Sequence, residues 1–167
     1  MLYIPASAAM WFLPFVLPLC LYTAFTDMRE MRITNQTVIA LALVFVVVGL
    51  VALPFDVYAW HLVYMVVVFV ICVLLNAVGA MGAGDSKFIA AASPFVFVGD
   101  LRLVMAIAAA NLLAAWATHR LAKHTRLRNI APHWQSWDDA LGKKFPMGLA
   151  LGCTLAIYLI MGAIWGA

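Results

Sequence analysis

The stretch Met81-Gly82-Ala83-Gly84-Asp85-Ser86-Lys87 places a carboxylate in a small-residue turn between two strongly apolar segments. Glycine at positions 82 and 84 allows the backbone to turn sharply and to approach another chain closely. Asp85 therefore lies where a polar hinge meets the next apolar segment. We interpret the rest of the chain as a frame that holds this turn at a membrane edge, opposite a second carboxylate, Asp27.

The composition is that of an integral membrane protein. Hydrophobic residues make up 67% of the 167 residues and charged residues only 10%, far from the balance of a soluble domain. We expect one membrane domain over residues 1–167.

The three cysteines lie inside apolar runs without a CxxC pattern, so we predict neither a disulfide framework nor a metal site. The net charge of +3 lies beside apolar segments, which favours a role in topology over nucleic-acid binding.

Hydropathy predicts an all-α protein with six membrane spans. Pro5, Pro14 and Pro18 are expected to distort the first half of the first span or to hold it near the interface. The fourth span covers only about 20 Å, less than the roughly 30 Å of a hydrocarbon core, and is therefore short. The predicted spans are 2–26, 36–53, about 57–78, 86–98, 101–121 and 146–166.

Six spans place the hinges 27–35, 79–87 and 120–145 on one face of the membrane. Nine of the ten Lys and Arg residues fall on that face, and only Arg102 falls on the other. The positive-inside rule makes the first face cytoplasmic and puts both termini outside. Asp27 and Asp85 are then at the same, cytoplasmic, edge of an inner membrane.

The longest polar stretch, 120–145, carries six of these cations. Trp134 and Trp137, beside Ser136-Trp137-Asp138-Asp139, predict a short capped helix lying on the interface. The six cations are Arg120, Lys123, Arg126, Arg128, Lys143 and Lys144.

The two hinge carboxylates suggest acid–base chemistry. Asp56 and Asp100 are expected to be solvated in outer links, whereas Asp27 and Asp85 each join an apolar span to a hinge on one face, where an ionisable group is costly. Taken singly, Asp27 is also explained as an interface residue or as a partner of a nearby arginine. Two close carboxylates share a proton, so that one can activate water while the other polarises a carbonyl, without metal or cofactor.

Other catalytic routes are less favoured by the sequence. His119, His124 and His133 lie in or beside the basic loop, are expected to be solvated, and form no HExxH pattern. Ser86 and Lys87 are neighbours that would point in different directions on a helix. Lys87 is open to two interpretations, as a group that holds substrate or tunes Asp85, or as an interface anchor.

With these residues in place, the chain resembles the prepilin peptidases, the GxGD family of membrane aspartyl proteases. Asp27 is followed by Ile33-Thr34-Asn35, similar to the family's D-x-x-x-x-x-I-P-N hinge with threonine in place of proline. The stretch from Gly82 to Lys87 matches G-x-G-D-x-K. The stretch from Lys144 to Ala150 is similar to the K-x-[IVF]-P-[FY]-G-x-A that opens the family's last span.

The resemblance implies removal of the leader peptide of a type IV prepilin at the cytoplasmic membrane edge, with Asp27 and Asp85 as the catalytic pair. Gly82 and Gly84 would let the turn approach the substrate backbone. Glu30 could receive the basic leader, although a pair with a neighbouring arginine is the plainer reading. The cysteine-rich insertion of methylating members is missing, so the chain resembles the small peptidase-only form of Flp-type, tight-adherence pilus systems.

Two alternatives stay open. One is a preflagellin-type or other GxGD protease with a different membrane substrate. The other, from a different class, is a small transporter or ion-conducting protein that uses Asp27 and Asp85 as proton or cation sites. Neither the substrate's identity nor the oligomeric state follows from the sequence.

Overall fold

Six α-helices make up the fold in the computed structural model, which describes residues 1–125, 133–137 and 145–167. The prediction of an all-α, multi-pass membrane protein is confirmed, and five of the helices are long and apolar enough to cross a membrane. Arg126, Arg128, Asp138, Asp139, Lys143 and Lys144 lie outside the described residues. The helices are α1 (Ala6–Glu30), α2 (Asn35–Ala52), α3 (Phe55–Ala77), α4 (Ala83–Ala92), α5 (Leu101–Lys123) and α6 (Met147–Trp165).

Helix α1 continues further into the predicted first hinge than expected. It runs unbroken past Pro14 and Pro18 and ends only where Met31 adopts a left-handed conformation, with φ of 51°. The Met31 N–H donates to the Asp27 carbonyl at 2.9 Å. Asp27 therefore lies in the last turn of a helix, and its side chain is held more rigidly than a hinge residue would be.

Helix α4 is short, as predicted, but lies closer to the glycines than expected. It has ten residues, with Gly82 as its N-cap and Asp85 in its first turn, and covers about 15 Å. Two single 3₁₀ turns, Ser93–Phe95 and Val98–Asp100, complete the path to α5. The left-handed glycine of the connection is Gly79, with φ of 74°, so the sharp turn precedes the GxGD stretch.

The core is built around α1 and α6. Phe12 of α1 stacks on Phe45 and meets the edge of Phe95, while Tyr158 of α6 is fully buried. A Cβ at Gly152 would stand 2.7 Å from the Cys20 carbonyl oxygen, so the absence of a side chain there lets the two backbones pack closely. Large apolar side chains are exposed on α2, α3 and α5, as expected of surfaces that face lipid.

The two chain termini meet at one end of the bundle, which we call the terminal end. The Leu2 N–H donates to the Trp165 carbonyl at 3.0 Å, and the Ala167 N–H donates to the Ile4 carbonyl at 3.1 Å. We call the opposite end, which carries Asp27 and Asp85, the hinge end.

Asp100 joins this terminal contact, and the expectation that it would be solvated is wrong. Only 4% of the residue is exposed. Its carboxylate accepts hydrogen bonds from the Tyr3 N–H at 2.9 Å, the Ile4 N–H at 3.0 Å and the Tyr158 hydroxyl at 2.9 Å. These hydrogen bonds offset the cost of burying the carboxylate, because they replace those that it would make to water.

The described part of the long polar stretch contains a single 3₁₀ turn, Gln135–Trp137. The rest of the predicted interfacial helix, from Asp138 onward, lies outside the described residues. Trp137 is buried and stacks on His119 at 5.1 Å between ring centroids. His119 is accordingly buried rather than solvated, while His124 and His133 are exposed as expected.

Replacing Asp100 by alanine is expected to lower the free energy of unfolding by about 3 kcal/mol, because the Tyr3 and Ile4 N–H groups and the buried Tyr158 hydroxyl lose a charged acceptor. Thermal unfolding in detergent measures the change. Asp56→Ala, which alters an exposed carboxylate in the first turn of α3, is the matched control. An equal loss of stability in both variants would contradict the structural role of Asp100.

Candidate active site

Asp27 is held at the hinge end by a distant part of the chain. Only 6% of the residue is exposed, and its Oδ2 accepts the Gly148 N–H at 2.6 Å across 121 positions of sequence. Gly148 lies in the first turn of α6, which follows Pro146 as the N-cap. The free N–H groups and the positive end of a helix dipole both favour a carboxylate at this position.

Gly148 makes this contact possible because it lacks a side chain. A Cβ there would stand 2.9 Å from the Asp27 Cβ and 3.0 Å from its Oδ2. Any other residue would push α6 and Asp27 apart. Gly148 is thus a site residue that the sequence-based reasoning did not single out, although it belongs to the third family-like motif, Lys144 to Ala150.

Asp85 reaches the same region from the first turn of α4. It is half-buried, and this burial raises the pKa of its carboxyl, because the charged form loses hydration. Its Oδ2 occupies the space above Gly82, where a Cβ would come within 2.7 Å of it. Gly82 therefore leaves room for the Asp85 carboxylate. At Gly84 a Cβ would meet Ile33 at 3.4 Å, an ordinary contact.

The two carboxylates line one open cavity of about 630 Å³. The charge of Asp85 acts electrostatically on Asp27. Such a cavity is large enough for an extended peptide segment and a water molecule. Its other lining residues are Met31, Arg32, Ile33, Asn35, Gly82, Ala83, Gly84, Lys87, Phe145 and Met147.

The remaining predicted site residues divide between two places. Lys87 lines the cavity, and its Nζ donates to the Asn35 Oδ1 at 3.0 Å. Glu30 lies outside the cavity, 3.8 Å from the Arg29 Nε, beside a second recess. Arg32 lines both. The recess is lined by Arg29, Glu30, Arg32, His133 and Gln135.

Thr34 stands where the family's motif has proline, and its backbone adopts a conformation that proline would also allow. Its φ of −76° lies within the range that proline would impose. Its Oγ1 accepts the Thr37 N–H at 3.3 Å and so caps α2, which proline could not do.

The part of the chain that the structure describes has no group of three or more His, Cys, Asp or Glu side chains that could hold a metal ion. The cavity's own ionisable groups include two carboxyls, Asp27 and Asp85, which can accept and release protons.

These observations define the class, a multi-pass membrane protein with paired carboxylates in an open cavity at one end of its helices. The family is shown by the sequence profile of the type IV leader peptidase family, which matches residues 14–118. The chain belongs to this family, as the motifs predicted, and family membership makes it a peptidase. The matched segment includes Asp27 and Asp85 but ends before α6. Comparison with curated proteins gave no match, and comparison with solved structures gave none.

Gly148→Ala is expected to reduce peptidase activity at least about tenfold, because the new methyl group displaces Asp27 and weakens a charged hydrogen bond. Leu149→Ala, which adds no atom beside Asp27, is the matched control. Activity and thermal unfolding are measured on both purified variants. Full activity of Gly148→Ala would show that the close approach of α6 to Asp27 is dispensable.

Proposed function

We propose that the protein is an aspartic endopeptidase that removes the leader peptide of Flp-type, type IV prepilins. The observation that carries the proposal is the single cavity lined by both Asp27 and Asp85. Asp27 is oriented by a backbone N–H of α6, and Asp85 by the first turn of α4. A shared-proton mechanism needs two carboxyl groups at one reaction site, and the shared cavity supports that arrangement.

In this mechanism the ionised carboxylate takes a proton from a water molecule, and the resulting hydroxide attacks the scissile carbonyl carbon. The protonated carboxyl donates its hydrogen to the carbonyl oxygen as negative charge develops there. Collapse of the tetrahedral intermediate breaks the C–N bond, and a proton passes from a carboxyl to the leaving amine. Atoms and charges balance without a metal ion or cofactor.

The location follows from the charge distribution. The hinge end carries Asp27, Asp85 and, among the described Lys and Arg residues, all except Arg102, so we assign it to the cytoplasmic face of the inner membrane. Both termini then lie outside, and residues 1–167 act as a single membrane domain in contact with lipid. The substrate is a prepilin whose basic leader lies on the cytoplasmic side and whose apolar segment lies in the bilayer.

The acidic residues described favour this proposal over a transporter. Asp27, Glu30, Asp56, Asp85 and Asp100 all lie in or beside the end of a helix. Of these, the two in the cavity lie at the hinge end, whereas a crossing path needs polar groups near the midplane.

Asp27→Asn and Asp85→Asn are each expected to reduce leader removal at least about hundredfold, because an amide can neither activate water nor share the proton. Co-expression with an Flp-type prepilin, followed by gel separation of precursor and mature forms, measures processing. Asp56→Asn is the matched control. Membrane insertion is checked by fractionation, and normal processing by either catalytic variant would overturn the dyad.

The pH dependence of cleavage is expected to be bell-shaped. Activity needs one proton on the pair, so it falls at low pH when both carboxyls are protonated and at high pH when both are ionised. Because burial raises the pKa of Asp85, its protonated form persists to higher pH than that of an ordinary aspartate. The alkaline limb should therefore lie above the usual carboxyl range near pH 4, as a pH profile of kcat/KM in detergent would measure. A limb at the ordinary range would contradict this.

A further inference from the structure

A further concavity lies on the lipid-facing side of the molecule, and we call it the lateral groove. It has a volume of about 490 Å³ and runs between α2 and α3 over α4. Its apolar character and its position on spanning helices place it in the bilayer. Its lining residues are Asn35, Val38, Ile39, Ala42, Met65, Val66, Phe69, Lys87, Ala90 and Ala91.

The groove exists because α2 and α3 are held together toward the terminal end while α4 lies between them at the hinge end. Near the terminal end, the Tyr58 hydroxyl donates to the Val46 carbonyl at 3.0 Å, and the Tyr58 ring stacks on Phe45. In the other half, the buried Ala90 and Ala91 of α4 form a floor of small residues. Small side chains allow another helix backbone to approach closely within a membrane.

The walls of the groove are large apolar side chains that remain exposed. Ile39 on α2 is 59% exposed, and Val66 and Phe69 on α3 are 58% and 50% exposed. The lining from Asn35 to Ala42 covers about 10 Å along α2, which is the length of two helical turns.

The groove is continuous with the catalytic cavity. Asn35 and Lys87 line both spaces, and the hydrogen bond between them marks the junction at 3.0 Å. The two spaces therefore meet at these two side chains.

We propose that the lateral groove binds the apolar helical segment of the substrate that directly follows the scissile bond. This proposal rests on the proposed function, in which the cleaved bond adjoins an apolar segment. The continuity at Asn35 and Lys87 then lets one substrate occupy both spaces, with its scissile bond between the carboxylates. The alanine floor accepts the helix backbone, and the exposed wall residues contact its side chains.

Photocrosslinking tests the occupant directly. A benzophenone amino acid is placed at Ile39 in the groove or at Leu113, a 71% exposed position on α5, in the Asp85→Asn variant, which should keep co-expressed prepilin uncut. We expect an adduct from position 39 that mass spectrometry maps to the apolar segment of the prepilin, and at least about tenfold less from position 113. Equal adducts at both positions, an adduct with a second copy of this chain, or adducts with lipid alone would overturn the proposal.

Kinetics provide a second readout. Ile39→Ser should raise KM about threefold or more and leave kcat unchanged, because it removes packing contacts made by the bound substrate before and during the reaction. Leu113→Ser should change neither value. An unchanged KM for Ile39→Ser would overturn the groove as a binding surface.

The same experiments separate the two proposals. Absence of processing by the wild-type protein overturns the proposed function. Processing by the wild type without a position-39 adduct overturns the groove alone.

Discussion

The hydrogen bond from the Gly148 N–H to the Asp27 Oδ2, at 2.6 Å, is the interaction on which the candidate site depends. It ties the end of α1 to the start of α6, two elements that are 121 positions apart in sequence. The start of α6 is in turn braced by aromatic contacts, since Phe145 meets the edge of His119 and His119 stacks on Trp137. The polar loop thus contributes to the site through packing, although the structure places no catalytic group on its described part.

Two buried carboxylates at opposite ends of the bundle differ in how fully they are satisfied. Asp100 accepts hydrogen bonds from two backbone N–H groups and a tyrosine hydroxyl, and such saturation leaves it a structural role. Asp27 is held through Oδ2 and borders an open cavity that it shares with Asp85. Burial alone therefore does not distinguish a reactive carboxylate from a structural one. Asp27 is the functional candidate because it also borders a cavity that a second carboxylate lines.

The parts of this structure that could be predicted are those set by local sequence. Long apolar runs determine spanning helices, so α2, α3, α5 and α6 begin and end within about two residues of expectation. Asp27 and Asp85 line one cavity. Their location at the same end followed from the number of spans between their hinges and from the clustering of Lys and Arg residues on one face. Long-range contacts could not be predicted, because no periodicity indicates that Gly148 donates to Asp27 or that Asp100 accepts from the chain's N-terminus. Burial of His119 and Trp137 likewise depends on how a polar loop folds back against the helices.

The shortness of α4 connects the candidate chemistry with substrate access. A spanning helix in its place would fill the space between α2 and α3 and would separate the cavity from the bilayer. With ten residues, α4 instead presents Asp85 at its first turn and the alanine floor of the lateral groove about one and a half turns later. Lys87 lies between these features and lines both spaces. One short helix thus fixes the spacing between the proposed reaction centre and the surface that would align an apolar substrate helix with it, and this spacing requires the scissile bond to lie close to the start of that helix.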